Sequence, residues 1–432
     1  MNRLKIFIST VVLQILAIQM FAQNMILIPM DEKQSNHLKA YGITYKVLET
    51  KIEAYWLLNY RGGSFAFEFS ETMSKECKRR NVYYEVIAQS KFNSILREIA
   101  NPEVNMDAMK LEVAPKVAVY SPTVNAKGES VQPWDDAVTL VLTYAEIPYT
   151  LVYDDEVMYG KLSEYDWLHL HHEDFTGQFG RFYAQFSTQP WYRTHVKEMT
   201  ELANKHGFTK VSQLKLAVVK KIREFVAGGG FMFAMCSATD TYDIALAADG
   251  IDICEYMYDG DPADPKAQSK LNFDNTFAFK DFQLVRDPLE YEYSNIDASS
   301  STSPMRTIPE HLDYFTLFDF SAKWDPIPTM LTQCHTRQVS GFMGQTTAFR
   351  KNFIKSNVLI LGETKSGNEA RYIHGTFEQG TWSFYGGHDP EDYRHYVYDP
   401  PTDLNLHPNS PGYRLILNNI LFPAAKKKQR KT

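Results

Sequence analysis

Short apolar runs alternate with amphipathic stretches along most of the chain, which is the pattern of strands separated by helices. "MILIPM" reads as a buried strand, "NHLKAYGITYKVLET" as a helix and "IEAYWLLNY" as a second strand, so residues 23–115 are expected to form an N-terminal α/β segment with parallel pairing. The same grammar restarts at "KVAVYSP". It predicts strands at 117–120, 149–153, 165–170 and 230–235, with helices at 134–145, 212–227 and 239–248. "KIEAYWLLNY" and "EIPYTLVYDD" hold similar places in the two segments, as two generic βαβ units would. The expected architecture is α/β, with a doubly wound, mostly parallel sheet of flavodoxin-like rhythm.

Over residues 259–340 the periodicity dissolves into "DGDPADPKAQSK", "SNIDASSSTSPM" and aromatic pieces such as "LDYFTLFDF". These predict an inserted, loop-rich cap with an exposed loop from Asp297 to Pro304. Strand-like runs resume with "NVLILGE", "ARYIHGTF" and "GTWSFYGGHD", and the helix "SPGYRLILNNILF" closes the pattern. Residues 116–258 and 341–424 are thus expected to form one domain interrupted by the cap.

The first residues change the picture. Arg3 and Lys5 precede an apolar run from Ile6 to Phe21 that ends at the small Ala22, the order of a secretory signal peptide cleaved between Ala22 and Gln23. A periplasmic or secreted protein is therefore expected, with no transmembrane span once residues 1–22 are removed, because Gln14 and Gln19 interrupt a run already short for a membrane. Cleavage would move the formal charge from −7 to −9, with 43 basic residues against 52 acidic ones. Such a chain has no general attraction to nucleic acid. The basic tail at residues 425–432, with "KKKQRKT" at its end, reads as a solvated end. Cys77, Cys236, Cys254 and Cys334 are too few and too widely spaced for a disulfide framework.

In a wound parallel sheet, ligands bind where loops leave the carboxyl ends of the strands. Those ends here carry Ser121, Asp154, the run "HHEDFTG", Cys236 and the pair His388 and Asp389. Cys236 lies between a strand and a helix with Ala234 and Ala238 two places away on either side, the local grammar of a nucleophile elbow. Its bland alternative is a packed structural cysteine. His388 is the expected general base, with Glu391 or Asp389 orienting its ring. His171, His172, Glu173 and Asp174 are expected to line the substrate pocket. A metal is the weaker reading of that run, because neighbouring residues on an extended strand point to opposite faces. No cofactor is expected: there is no dinucleotide fingerprint, and the glycines at 228–230 precede a strand rather than a helix.

The Cys236 turn, the late histidine and "GTWSFYGGHDPEDY" followed by "NSPGYRLILNNILF" together resemble the class I glutamine amidotransferase-like fold, particularly its trehalose-utilisation (ThuA-like) branch. The resemblance covers residues 116–258 and 341–424 and implies a triad of Cys236, His388 and an acid. The chain has A-x-C-x-A where the family has G-x-C-x-G, and Glu391 lies three places after His388 where the family has H-x-E. The mature chain is also similar to exported bacterial proteins catalogued as asparagine synthetase B-like. Synthetase chemistry of the usual kind needs an N-terminal cysteine nucleophile and an "SGGxDS" ATP loop, and the chain has neither. Two functions remain open from the sequence. One is a hydrolase or acyl-transfer enzyme on an amide or sugar-derived substrate, using Cys236 and His388. The other is a noncatalytic cell-envelope protein that binds a small-molecule or glycan-derived ligand at the same edge.

Overall fold

The computed structural model describes residues 24–122, 136–298, 308–325, 333–364, 367–394 and 399–425. The expected signal peptide, most of the loop from Asp297 to Pro304 and the "KKKQRKT" tail lie outside the described residues. The strands are β1 Asn24–Ile28, β2 Ala54–Leu58, β3 Ser64–Glu68, β4 Glu85–Ala88, β5 Asp107–Leu111, β6 Val117–Tyr120, β7 Thr150–Val152 and β8 Trp167–His171. They continue as β9 Phe231–Met235, β10 Tyr314–Leu317, β11 Gln338–Ser340, β12 Phe349–Arg350, β13 Leu359–Thr364, β14 Glu369–Phe377 and β15 Gly380–Tyr385.

These strands form two sheets, and neither is the doubly wound, mostly parallel flavodoxin-like sheet that the pattern predicts. The first has order β4-β1-β3-β2-β5 and is antiparallel throughout. The expectation of parallel pairing fails here for a local reason. "NYRGGSF" turns the chain tightly, with Asn59, Arg61, Gly62 and Gly63 all at positive φ, so β2 is followed at once by β3, and a connection that short joins antiparallel neighbours. The second sheet has ten strands and is mixed. Along β7-β6-β8-β9-β15 every pairing is parallel, and the four strands expected as neighbours are among these. Beyond β15 every pairing is antiparallel, through β14, β13, β10 and β11, with β12 also on β14. Part of the segment expected to be a loop-rich cap therefore extends the sheet through β10 and β11.

Side-chain alternation assembles the layers. Ile26 and Ile28 of β1 face the main core while Met25 and Leu27 face a separate cluster under the helix Gln89–Ala100. Val117 and Val119 of β6 likewise face the main core, and Ala118 and Tyr120 face the opposite one. Between the sheets lie the helices His37–Glu49, Ala137–Ala145 and Pro411–Leu421, in mutual contact. Gly42 permits the approach of the first two, since a Cβ there would sit 1.7 Å from Ala145 O. The far face of the second sheet is covered by the helices Pro190–Lys205, Val211–Ala227 and Ala238–Ala247. Among the described residues no helix is long and apolar enough to cross a membrane. All four cysteines are free.

An ion-pair network joins the first unit to the second. Glu76 meets Lys46 at 3.1 Å, Arg79 at 2.8 Å and Arg80 at 3.3 Å, and both arginines continue to Glu146. The Arg79 hydrogen bond, followed by Lys46 and opposed by burial, holds the Glu76 carboxyl down to about 2 from 4.5. A carboxyl depressed on folding contributes stability above its unfolded value and loses it as pH falls through the folded one. Between pH 4.5 and 2 this group is expected to cost the native state about 1–2 kcal/mol after solvent screening. Urea midpoints measured across that range should show a flatter acid slope for Glu76→Gln. An unchanged slope would refute the assignment.

Candidate functional site

The parallel strands β6, β8, β9 and β15 end on one edge, and the polar residues that follow them meet there. His171 is the last residue of β8 and is buried. His172 follows at φ +53, a left-handed conformation that ends strand alternation. Its ring folds back onto His171, with centroids 3.8 Å apart and planes within 12°. His388 arrives from β15 through "YGGHD". Gly386 and Gly387 are required in that turn: a Cβ on the first would lie 2.5 Å from Thr347 O, and the second has φ +100. The His388 ring then lies 4.8 Å from that of His171 and 4.2 Å from that of His172.

Two further residues back this cluster. Asp136 caps the helix Ala137–Ala145 by accepting from Val138 N at 2.7 Å and Thr139 N at 2.9 Å. Its other oxygen, Oδ2, lies 3.1 Å from His169 Nε2 and 3.3 Å from His171 Nδ1. Burial would raise the Asp136 carboxyl, but the His169 and His171 imidazoles outweigh it and hold it well below the usual carboxylate range. Burial lowers the His171 imidazole against the pull of Asp136. A neutral His171 with its proton on Nδ1 would direct that proton at the Asp136 carboxylate and leave Nε2 as a buried acceptor. Asp136 and His169 thus belong to the site as well, and both leave a signal in the sequence. Asp136 precedes an apolar helix as a cap does, and His169, two positions before the run singled out, makes an H-x-H pair with its first residue, His171.

Cys236 follows β9 at φ +54 and precedes the helix Ala238–Ala247. Its amide donates to Gly387 O at 3.2 Å, which brings the two turns together. The sulfur accepts from Gln345 N at 3.3 Å. Burial pushes the thiol up to about 11, against the pull of the Gln345, Ser237 and Thr346 amides. The thiol is thus protonated at neutral pH, unlike the helix-activated thiolate that an elbow would offer.

The remaining sequence-selected residues have structural partners. Glu173 lies 3.3 Å from Lys215 Nζ, and burial pushes its carboxyl up to about 7 against Lys215. Asp174 accepts from Thr176 N at 2.7 Å and Gly180 N at 2.9 Å, shaping the loop after β8. Asp389 accepts from Glu391 N and Thr402 Oγ1, both at 2.9 Å. Glu391 pairs with His407 Nδ1 at 3.0 Å. The structure therefore brings His171, His172 and His388 together, sets Cys236 in the adjoining turn, and uses Asp174, Asp389 and Glu391 to hold loops.

No family model matches the chain, and no curated protein matches it. Among solved structures it is similar to a cytoplasmic protein from Salmonella typhimurium, with a TM-score of 0.34 and 10% identity over 72% of this chain and 100% of that one. A second cytoplasmic protein, from Salmonella typhimurium LT2, gives 0.33 and 12% over 72% and 100%. A beta-galactosidase from Bacillus circulans sp. alkalophilus gives 0.25 and 11%, over 65% of this chain and 29% of that one.

Proposed function

We propose that the protein is an exported hydrolase acting on a small amide- or sugar-derived molecule, and that its reacting centre is the histidine cluster rather than the thiol. The observation that supports this is the approach of three imidazoles to within 3.8–4.8 Å of one another at the strand ends. A positioned imidazole can take a proton from water as that water attacks a carbonyl or anomeric carbon, and can return it to the leaving group. Asp136 fixes the ring of His171, so the cluster is organised before substrate arrives. The raised Cys236 thiol favours a role in shaping the adjoining turn.

The test is turnover of a panel of nitrophenyl glycosides, nitroanilides and glutamine by the mature protein. His172→Asn and His388→Gln should each lower kcat/KM by at least about 100-fold, the usual scale for loss of acid–base catalysis. Cys236→Ser should stay within about threefold of the parent. Loss of turnover in Cys236→Ser, with both histidine variants active, would return the nucleophile to the thiol. Ligand binding without turnover of any substrate would favour the binding protein.

A further inference from the structure

We propose that His171, His172 and His388 bind one divalent transition-metal ion, zinc being the best chemical match, with Asp136 as a positioning residue behind His171. This rests on the hydrolytic reading's placement of the reacting centre and changes how that centre works: with their nitrogens on the ion the three imidazoles would be ligands, and a metal-bound water would replace the imidazole base.

Three observations carry it. One donor nitrogen from each of the three histidines lies within 4.8 Å of the other two. A tetrahedral zinc site with bonds of about 2.0–2.1 Å needs donors about 3.4 Å apart, so modest ring rotation closes the set. Secondly, neither buried ring nitrogen of His171 makes a well-formed hydrogen bond, and Nδ1 lies 3.3 Å from Asp136 Oδ2 while Nε2 has no such neighbour. A carboxylate behind one ring nitrogen, with the other nitrogen left to accept, is the arrangement that orients a metal-bound histidine. Thirdly, φ +53 at His172 removes the objection that adjacent strand residues diverge. That left-handed backbone is strained for a non-glycine residue and brings two polar rings face to face.

The donor chemistry selects the ion. Three imidazoles suit zinc and its neighbours in the first transition row, and not calcium or magnesium, which take oxygen ligands. A three-histidine set also leaves a coordination position open for water, which is the arrangement of a catalytic rather than a structural zinc. Among the described residues two other groupings of donors occur: Asp136, His169 and His171, in which Asp136 Oδ2 already lies 3.1 Å from His169 and 3.3 Å from His171, and Asp252, Cys254 and Asp259, which is already engaged by Lys210 Nζ, 2.6 Å from Asp252 and 3.1 Å from Asp259.

The experiment uses the untagged mature chain, stripped with a chelator and titrated with zinc against a competing dye, with cobalt as a spectroscopic probe. The expected result is one ion per chain, with the intense visible bands of four-coordinate cobalt. His172→Asn keeps a residue type that tolerates positive φ and should weaken zinc by at least 100-fold, and His388→Gln should do the same. Asp136→Asn keeps the helix cap and should weaken it by about 10–100-fold. Cys254→Ser should leave binding unchanged. Zinc affinity that survives both histidine substitutions, or cobalt bands lost in Cys254→Ser, would overturn the proposal. Stoichiometric metal without hydrolysis of any panel substrate would support the metal site and sink the hydrolytic reading. Histidine-dependent hydrolysis by a chain that binds no zinc would do the reverse.

Discussion

Lys215→Met is expected to lower the unfolding free energy by about 3–5 kcal/mol, because it strands buried carboxylates without their cation. Lys215 reaches from the helix Val211–Ala227 to the strand ends and is almost fully buried. Its Nζ lies 3.0 Å from Asp154 Oδ2, 3.3 Å from Glu173 Oε2 and 3.1 Å from the Tyr120 hydroxyl, and it stands 4.6 Å above the Tyr153 ring. Burial pushes the ammonium down, but Asp154 and Glu173 outweigh it and hold Lys215 well above its ordinary value. Methionine fills a similar volume and supplies no charge. Asp154, fully buried, would then face the interior unpaired. Urea unfolding should show the loss in Lys215→Met and a partial recovery in the double variant with Asp154→Leu, where neither charge remains. A double variant no more stable than the single one would show that packing, not charge, is what the lysine contributes.

Arg371→Met is expected to cost a similar amount, about 3–5 kcal/mol. Arg371 on β14 is fully buried and meets Asp313 Oδ2 at 2.8 Å, Phe342 O at 2.6 Å and Thr347 O at 3.0 Å. Removing the guanidinium takes this cation from the buried Asp313 carboxylate, which keeps the Tyr393 hydroxyl at 3.2 Å, and leaves two carbonyls short of a donor. The consequence extends to the histidine cluster. Arg371 O accepts from Gly386 N at 2.7 Å, and Phe342 and Thr347 flank the Gln345 loop whose amide meets Cys236. Chemical denaturation should show the loss, and Arg371→Met with Asp313→Asn should regain part of it. A single variant within about 1 kcal/mol of the parent would contradict the assignment.

Most of the strands in the parallel half were legible in the sequence, because each is a short apolar run bounded by turn residues. "VAVY", "WLHLH" and "FMFAM" became β6, β8 and β9 within a residue or two of their expected limits. The strand β3 was overlooked because "SFAFE" follows the glycines of its own hairpin so closely that it reads as part of the turn. The three histidines were each singled out. Their place at one edge was expected, but the approach of both His171 and His172 to one point was not, because alternation was extended one residue beyond the point where β8 ends, and His172 has already left the strand.

The amino-acid sequence by itself determined where strands and helices lie and that polar groups crowd the strand ends, since periodicity and turn chemistry are local properties of the chain. Only the tertiary structure decided which strand pairs with which and in which direction. An apolar run has the same pattern in a parallel and an antiparallel neighbour, and the choice depends on how short the connection is and on what the other face buries. It also decided that His388 meets His171 and that Asp136 stands behind the pair. Those contacts are made by β15, β8 and a helix cap that are distant in the chain, and packing across the sheet alone brings them together.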